Sequence, residues 1–306
     1  MTAFAPGIMH PPVRLEETPP MFLRRLALPL ALLLGCAAAG PVMARQGAAP
    51  EGVAATIADA RQFDLQSAQG HAYRIFVAAP QGEAPAAGYP VIYLLDGNSV
   101  FGTAVETVRL QRAALGPAVI VAVGYPVGTP FDGPARFRDY TPPTDPRHIP
   151  EKFDRSVVTG GQDAFLDFLV AQVRPLVESL HPIDPHRQAL FGHSLGGLFV
   201  LHTMFTRPEL FQKYVAGSPS IWWNGRSVLA ELDRFAALPS AARRDVGLMV
   251  VVGGEELGHI VLDARDLITR LPPIRDRYLE VAGEGHVSVL PTAINEGLRF
   301  ALGSGH

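Results

Sequence analysis

The chain concentrates its chemistry in a few short stretches. In Gly192-His193-Ser194-Leu195-Gly196 a serine stands between two glycines, with the apolar run Gln188 to Phe191 before it and Leu195 to Phe205 after it. A strand that ends in a sharp turn and leads at once into a helix holds a serine hydroxyl clear of the backbone. Glycines two residues before and after avoid collision with the neighbouring strand and helix, and the helix amino end favours negative charge developing nearby. A hydroxyl is a weak nucleophile without a base, and an imidazole base needs an acceptor to orient it. In this elbow arrangement both come downstream, acid before histidine, each in a loop after a strand. "LMVVVGGEELGH" ends an apolar run at Val252 and presents Glu255 and Glu256, while "YLEVAGEGHVSVLP" ends another at Val281 and presents His286. The spacing predicts Ser194 as nucleophile, His286 as base and Glu256 as orienting acid, with Glu255 the rival. His259 competes with His286 but follows the acid's loop directly and is less well placed.

Acyl transfer through a serine also needs two backbone N–H groups aimed at the developing oxyanion. One is expected from Leu195, the residue after the serine. The other is expected after an earlier strand, where "VIYLLDGNSV" ends at Leu95 and turns through Asp96-Gly97-Asn98, making Asn98 or Gly97 the donor. An ordinary Asp-Gly turn is the competing reading.

The elements that must position these groups are legible as an alternation. Residues 73–77, 91–95, 119–123, 188–191, 214–216, 248–252 and 278–281 read as short strands, several apolar on both faces. Helices are expected at 101–115, 165–180, 195–206, 226–237, 260–271 and 291–302, with Pro175 kinking or breaking the second. The pattern predicts an α/β fold, a mainly parallel twisted sheet with helices on both faces and its ligand site at the strands' carboxyl ends. Between about 124 and 161 glycine and proline dominate with little periodicity, and a connection this long is expected to form a pocket wall.

Composition narrows the partners. With 306 residues, 48% hydrophobic content and a net charge of -3, the chain can bury a large core, and without a basic block it is not expected to bind nucleic acid or an anionic membrane surface. No H-E-x-x-H, cysteine cluster or G-x-x-x-x-G-K-[ST] occurs, so no metal and no cofactor is expected. The first 44 residues differ from the rest. Residues 1–20 are proline-rich and read as an extension without structure, with translation starting at Met21 as an alternative. Residues 21–44 carry Arg24-Arg25, an apolar run from Leu26 to Leu34 and small residues up to Ala44, the layout of a secretory signal cleaved after Ala44. The run is short for a membrane span. Leu33-Leu34-Gly35-Cys36 also fits a lipoprotein box, and the arginine pair loosely fits a twin-arginine signal. Residues 45–60 read as a flexible segment and 61–306 as the catalytic domain, in the periplasm or outside the cell.

With these residues in hand, the chain resembles the esterase D-like family of α/β-hydrolases, which includes the catecholate-siderophore esterases. The resemblance runs from about Arg61 to Pro291, through "GYPVIYLLDGNSV", "AVIVAVGYPVGTPFDGPARFRDYTP", Gly160-Gly161, "GHSLGGLFVL" and "SPS". It implies Ser194 as nucleophile, His286 as base and the turn at 96–98 as part of the oxyanion hole. Periplasmic members are regarded as working with a serine-histidine pair, whereas Glu256 here is similar to the acid of the full triads in cytoplasmic and Gram-positive relatives. Arg136 matches an arginine in related esterases, where it would pair with catecholate or carbonyl oxygens; a loop ion pair with Asp132 or Asp139 is the alternative. Trp222 and Trp223 are expected either to stack on aromatic acyl groups or to pack in the core, and Ser218 and Ser220 to be structural.

The expected function is hydrolysis of a catecholate siderophore trilactone of the enterobactin or salmochelin type, the iron arriving with the substrate. Two alternatives stand beside it. One is a general short-chain carboxylesterase or an acyltransferase of the same family; the other is a non-catalytic protein that binds a siderophore or carbohydrate. The sequence does not specify an oligomeric state.

Overall fold

The computed structural model describes residues 52–303. The predicted signal at 21–44, its cleavage at Ala44 and the lipoprotein cysteine Cys36 lie outside them. From Ala55 onward the residues form one unit, built on an eight-stranded sheet with the order β1-β2-β4-β3-β5-β6-β7-β8. The strands are β1 Ala60–Gln66, β2 Ala72–Ala78, β3 Tyr89–Leu95, β4 Val119–Gly124, β5 Ile183–His193, β6 Lys213–Gly217, β7 Gly247–Gly253 and β8 Arg275–Val281. β1 and β2 form an antiparallel hairpin, β2 runs antiparallel to β4, and all remaining pairs are parallel. The expected α/β architecture is therefore present.

β3, β4 and β7 are buried at every residue, as strands covered by helices on both faces must be. One face packs under α6 (Leu195–Thr206) and its neighbours, with Phe165, Leu166, Phe199, Met204, Leu232 and Phe235 in a single apolar cluster. The other face packs under α1 (Gly97–Leu110) and the C-terminal helix, through Val100, Phe101, Ala104, Ile294, Leu298 and Phe300. α2 (Arg112–Leu115) extends α1 by a turn.

The segment expected to be irregular contains α3, Gly133–Tyr140. Its start signal is local: the Asp132 carboxylate accepts from the Ala135 N–H at 3.1 Å, and Pro134 follows within the first turn. The helix expected at 165–180 is three pieces, α4 (Gln162–Phe168), a π-turn at Leu169–Val173 and α5 (Arg174–Leu180). Pro175 lacks the N–H that an α-helix would use there, and the widened turn lies just before it. α7 (Val228–Ala236), α8 (Gly258–Arg270) and α9 (Leu290–Leu302) complete the layers.

Candidate active site

Ser194 sits between β5 and α6 at the carboxyl edge of the sheet. Its backbone, φ 61° and ψ -116°, is one that L-residues rarely occupy, and it is held by its N–H donating to the Gly217 carbonyl at 2.8 Å and its carbonyl accepting from the Ser220 N–H at 3.0 Å. The turn has no room for a side chain at Gly192, where a Cβ would overlap the Gly196 carbonyl. The expectation for Gly196 is corrected. A Cβ there would make ordinary contacts at 3.5 Å with Asp96 and Leu95, and the tight position is Gly197, whose Cβ would lie 2.8 Å from the Gly217 carbonyl and 3.0 Å from Pro219. Helix α6 presses on the neighbouring strand's end one residue later than the motif suggests.

The Ser194 Oγ lies 3.0 Å from His286 Nε2, and His286 Nδ1 lies 2.6 Å from Glu256 Oε2. His286 comes from the loop between β8 and α9, and Glu256 from the loop after β7. Glu256 has no exposed side-chain surface. Its other oxygen accepts from the Gly253 N–H at 2.7 Å and from Ser218 Oγ at 2.5 Å. Burial pushes its carboxyl pKa up, and the hydrogen bonds from His286, Ser218 and Gly253 outweigh that and hold it below the usual carboxylate value. Glu255 is exposed in the same loop, with its N–H on the Glu284 carbonyl. His259 is exposed and edge-on to Trp222, ring centroids 5.9 Å apart. Of the candidate acids and bases, the structure joins Glu256 and His286 to Ser194 and leaves Glu255 and His259 outside.

Two helices start at the carboxyl ends of the neighbouring strands β5 and β3. Leu195 opens α6 and Gly97 opens α1. Among the described residues the backbone N–H groups of Leu195, Gly97 and Asn98 have no acceptor, as expected for first-turn groups. The two turns are in contact, Gly196 being packed against Leu95 and Asp96. Asn98 can take part through its backbone alone, because its side chain clamps the strand end: its amide donates to the Tyr125 and Val127 carbonyls at 3.0 Å, and its oxygen accepts from the Tyr125 N–H at 2.9 Å.

Arg136 corrects the loop pairing drawn for it, since it pairs with neither Asp132 nor Asp139. Its Nε and Nη2 grip the two oxygens of Asp96 at 2.7 and 3.1 Å, and Nη2 also reaches the His193 carbonyl at 3.4 Å. Burial works to lower the guanidinium pKa, and Asp96 beside it raises it by more. Asp96 is itself in a left-handed conformation, φ 59°. The buried pair therefore ties the turn at 96–98 to the residue preceding Ser194.

Trp223 is 1% exposed and donates its indole N–H to Thr144 Oγ1 at 2.9 Å, so it belongs to the core. Trp222 is half-buried, stacked on Phe153 with planes 3° apart, with Lys152 over both rings.

Three contributors were not legible as site residues. Ser218 holds the acid, and Ser220 places its Oγ 3.4 Å from that of Ser194; the one available signal was their position at a strand's carboxyl end. His193 is buried with its ring 4.8 Å from that of His286. Burial, with His286 and Arg136 nearby, pushes its pKa down to about 3, so it stays neutral beside the base.

A strained serine elbow, a histidine, a buried carboxylate and paired helix starts on this sheet define an esterase of the α/β-hydrolase fold. The chain belongs to the esterase family described as "Putative esterase", whose model matches residues 67–273. It is 43% identical over 249 residues to the ferri-bacillibactin esterase BesA of Bacillus subtilis, covering 76% of this chain and 86% of that protein. Among solved structures, the BES protein from Bacillus cereus superposes with a TM-score of 0.78 at 36% identity, covering 82% of this chain and 99% of that one. The enterobactin hydrolase IroE in complex with DFP gives 0.66 at 30%, covering 80% and 95%.

Proposed function

We propose that this protein opens the ester bonds of a catecholate siderophore trilactone of the enterobactin or salmochelin type by a Ser194–His286–Glu256 acyl-enzyme mechanism. The observation that carries the mechanism is the continuous hydrogen-bonded line from the Ser194 hydroxyl through His286 to Glu256. The substrate class is supported by relatives named for ferri-bacillibactin, enterobactin and apo-salmochelin.

Each step uses a group in place. His286 Nε2 accepts the Ser194 proton as Oγ attacks the ester carbonyl, while Glu256 stabilises the imidazolium through Nδ1. The carbonyl oxygen becomes an oxyanion received by the N–H of Leu195 and of Asn98 or Gly97, at helix ends that favour negative charge. Collapse expels the alkoxide, which takes the proton from His286, and leaves an acyl-serine. Water, giving its proton to the same nitrogen, then releases the acid and regenerates Ser194. His193, neutral and adjacent, adds no charge against the imidazolium. Iron enters as part of the substrate. The pattern at 21–44 supports export to the periplasm or beyond, with a mature start at Arg45 or a lipidated Cys36; amino-terminal sequencing of the exported protein separates the two.

The test is hydrolysis of enterobactin, with and without iron, and of p-nitrophenyl butyrate, following linear products by chromatography. Trilactone opening that falls by about a million-fold in Ser194→Ala is expected. Turnover of the small ester alone would leave the serine mechanism standing and remove the siderophore.

A further inference from the structure

Two of the clefts away from Ser194 carry charged linings. In one, bounded by Gln81, Glu106 and Arg109, the polar groups satisfy each other, Arg109 on Glu106 and Gln81 on Asp59. The other, of about 550 Å³, lies at the amino ends of β5 to β8, the opposite end of the strands from the catalytic serine, and its charges are not matched.

Lys213, Gly247 and Arg275 open β6, β7 and β8 and lie in direct register across the three parallel strands. In-register residues share a sheet face, so the two cations face one another across a glycine. A Cβ on Gly247 would lie 3.0 Å from Lys213 Nζ and 3.2 Å from the Phe300 ring, so the lysine crosses space that any other residue would fill. Lys213 Nζ and the Arg275 guanidinium stand 5.9 and 5.7 Å from the centroid of that same ring. Burial, then the charge of Arg275, lowers the lysine's pKa. Arg244 adds a further cation, and Asp245 is the one carboxylate of the lining. Among the described residues, Lys213, Arg244 and Arg275 form no ion pair. Arg187, also in the lining, donates to the Leu302 carbonyl at 2.9 Å. Two like charges over one ring repel each other, and an anion between them relieves that cost.

We infer that this cleft is a second binding site, for a small oxyanion with at least two negative charges, such as a polycarboxylate or a hydrogen phosphate. The anion bridges Lys213 and Arg275 over Phe300, with Arg244 at the mouth. Its size suits the cleft, which falls within the range of small-molecule sites.

Isothermal calorimetry of the full chain at low ionic strength, with citrate, tricarballylate and inorganic phosphate as probes, tests this. Citrate and tricarballylate are both expected to bind saturably at one site with similar affinity, because the cations read the carboxylates; the phosphate titration shows which oxyanion source is preferred. Losing one charge-assisted contact should weaken binding roughly ten- to hundred-fold in Lys213→Met and in Arg275→Gln, with p-nitrophenyl butyrate turnover unchanged. Arg275 is exposed, so Arg275→Gln keeps the test open should Lys213→Met fail to fold. No saturable heat with any of the three probes, or binding unchanged in Arg275→Gln, would overturn the inference.

Discussion

Replacing Glu256 with glutamine preserves shape and volume and alters one hydrogen-bond direction. Oε1 accepts from Gly253 N–H and Ser218 Oγ, and Oε2 faces His286 Nδ1. The glutamine carbonyl must stay on the first pair, because turning the amide round would set its NH₂ against the Gly253 N–H. The NH₂ then faces Nδ1 and donates to it, which moves the imidazole proton to Nε2. That nitrogen can no longer accept a proton from Ser194, 3.0 Å away. A forced wrong tautomer of this kind lowers kcat by about 10⁴-fold, or about 5.4 kcal/mol of barrier. KM should hardly move, since the Glu256 side chain has no exposed surface with which to touch substrate. Glu255→Gln, exposed and outside the relay, should stay within about twofold of wild type, as surface changes do. Steady-state kinetics on p-nitrophenyl butyrate reads both. A Glu256→Gln enzyme within about tenfold of wild type, or a larger loss in Glu255→Gln, would refute the reasoning.

Two further outcomes follow from packing. Arg136→Met strands the Asp96 carboxylate, 2% exposed, without its partner, and removing one member of a buried pair should cost about 3–5 kcal/mol in urea denaturation; a wild-type midpoint would mean the pair is not what keeps the turn folded. Gly197→Ala drives a Cβ to 2.8 Å from the Gly217 carbonyl while Gly196→Ala meets ordinary contacts, so the first should lose roughly 1–3 kcal/mol more stability than the second, and equal losses would count against the packing assigned to α6.

The buried strands and amphipathic helices could be read because burial writes itself into local periodicity. β1 could not, since Ala60–Gln66 is an edge strand with no fully buried residue, and the adjacent exposed Arg61 and Gln62 break its alternation. α3 was obscured by the glycines and prolines around it, although Asp132-Gly133-Pro134 carried its start. The serine, acid and histidine were legible because the elbow fixes their order along the chain. Choosing Glu256 over Glu255 required the fold of the loop, which turns one carboxylate onto Gly253 and leaves the next-door one in solvent. The Arg136–Asp96 pair spans 40 residues and two separate elements, and no local pattern distinguishes that partner from the nearer Asp132 and Asp139. The register that sets Lys213 against Arg275 is equally a property of the assembled sheet.

The backbone at Ser194 sets two demands against each other. Its φ of 61° and ψ of -116° suit glycine and cost other residues about 1–3 kcal/mol. Every molecule carries that cost from the moment it folds, whether or not substrate ever arrives. The residue that would relax the turn is the one with no hydroxyl to offer. Endurance and turnover therefore trade against each other at a single position, and substitutions that make this protein hardier without silencing it must be sought elsewhere in the chain.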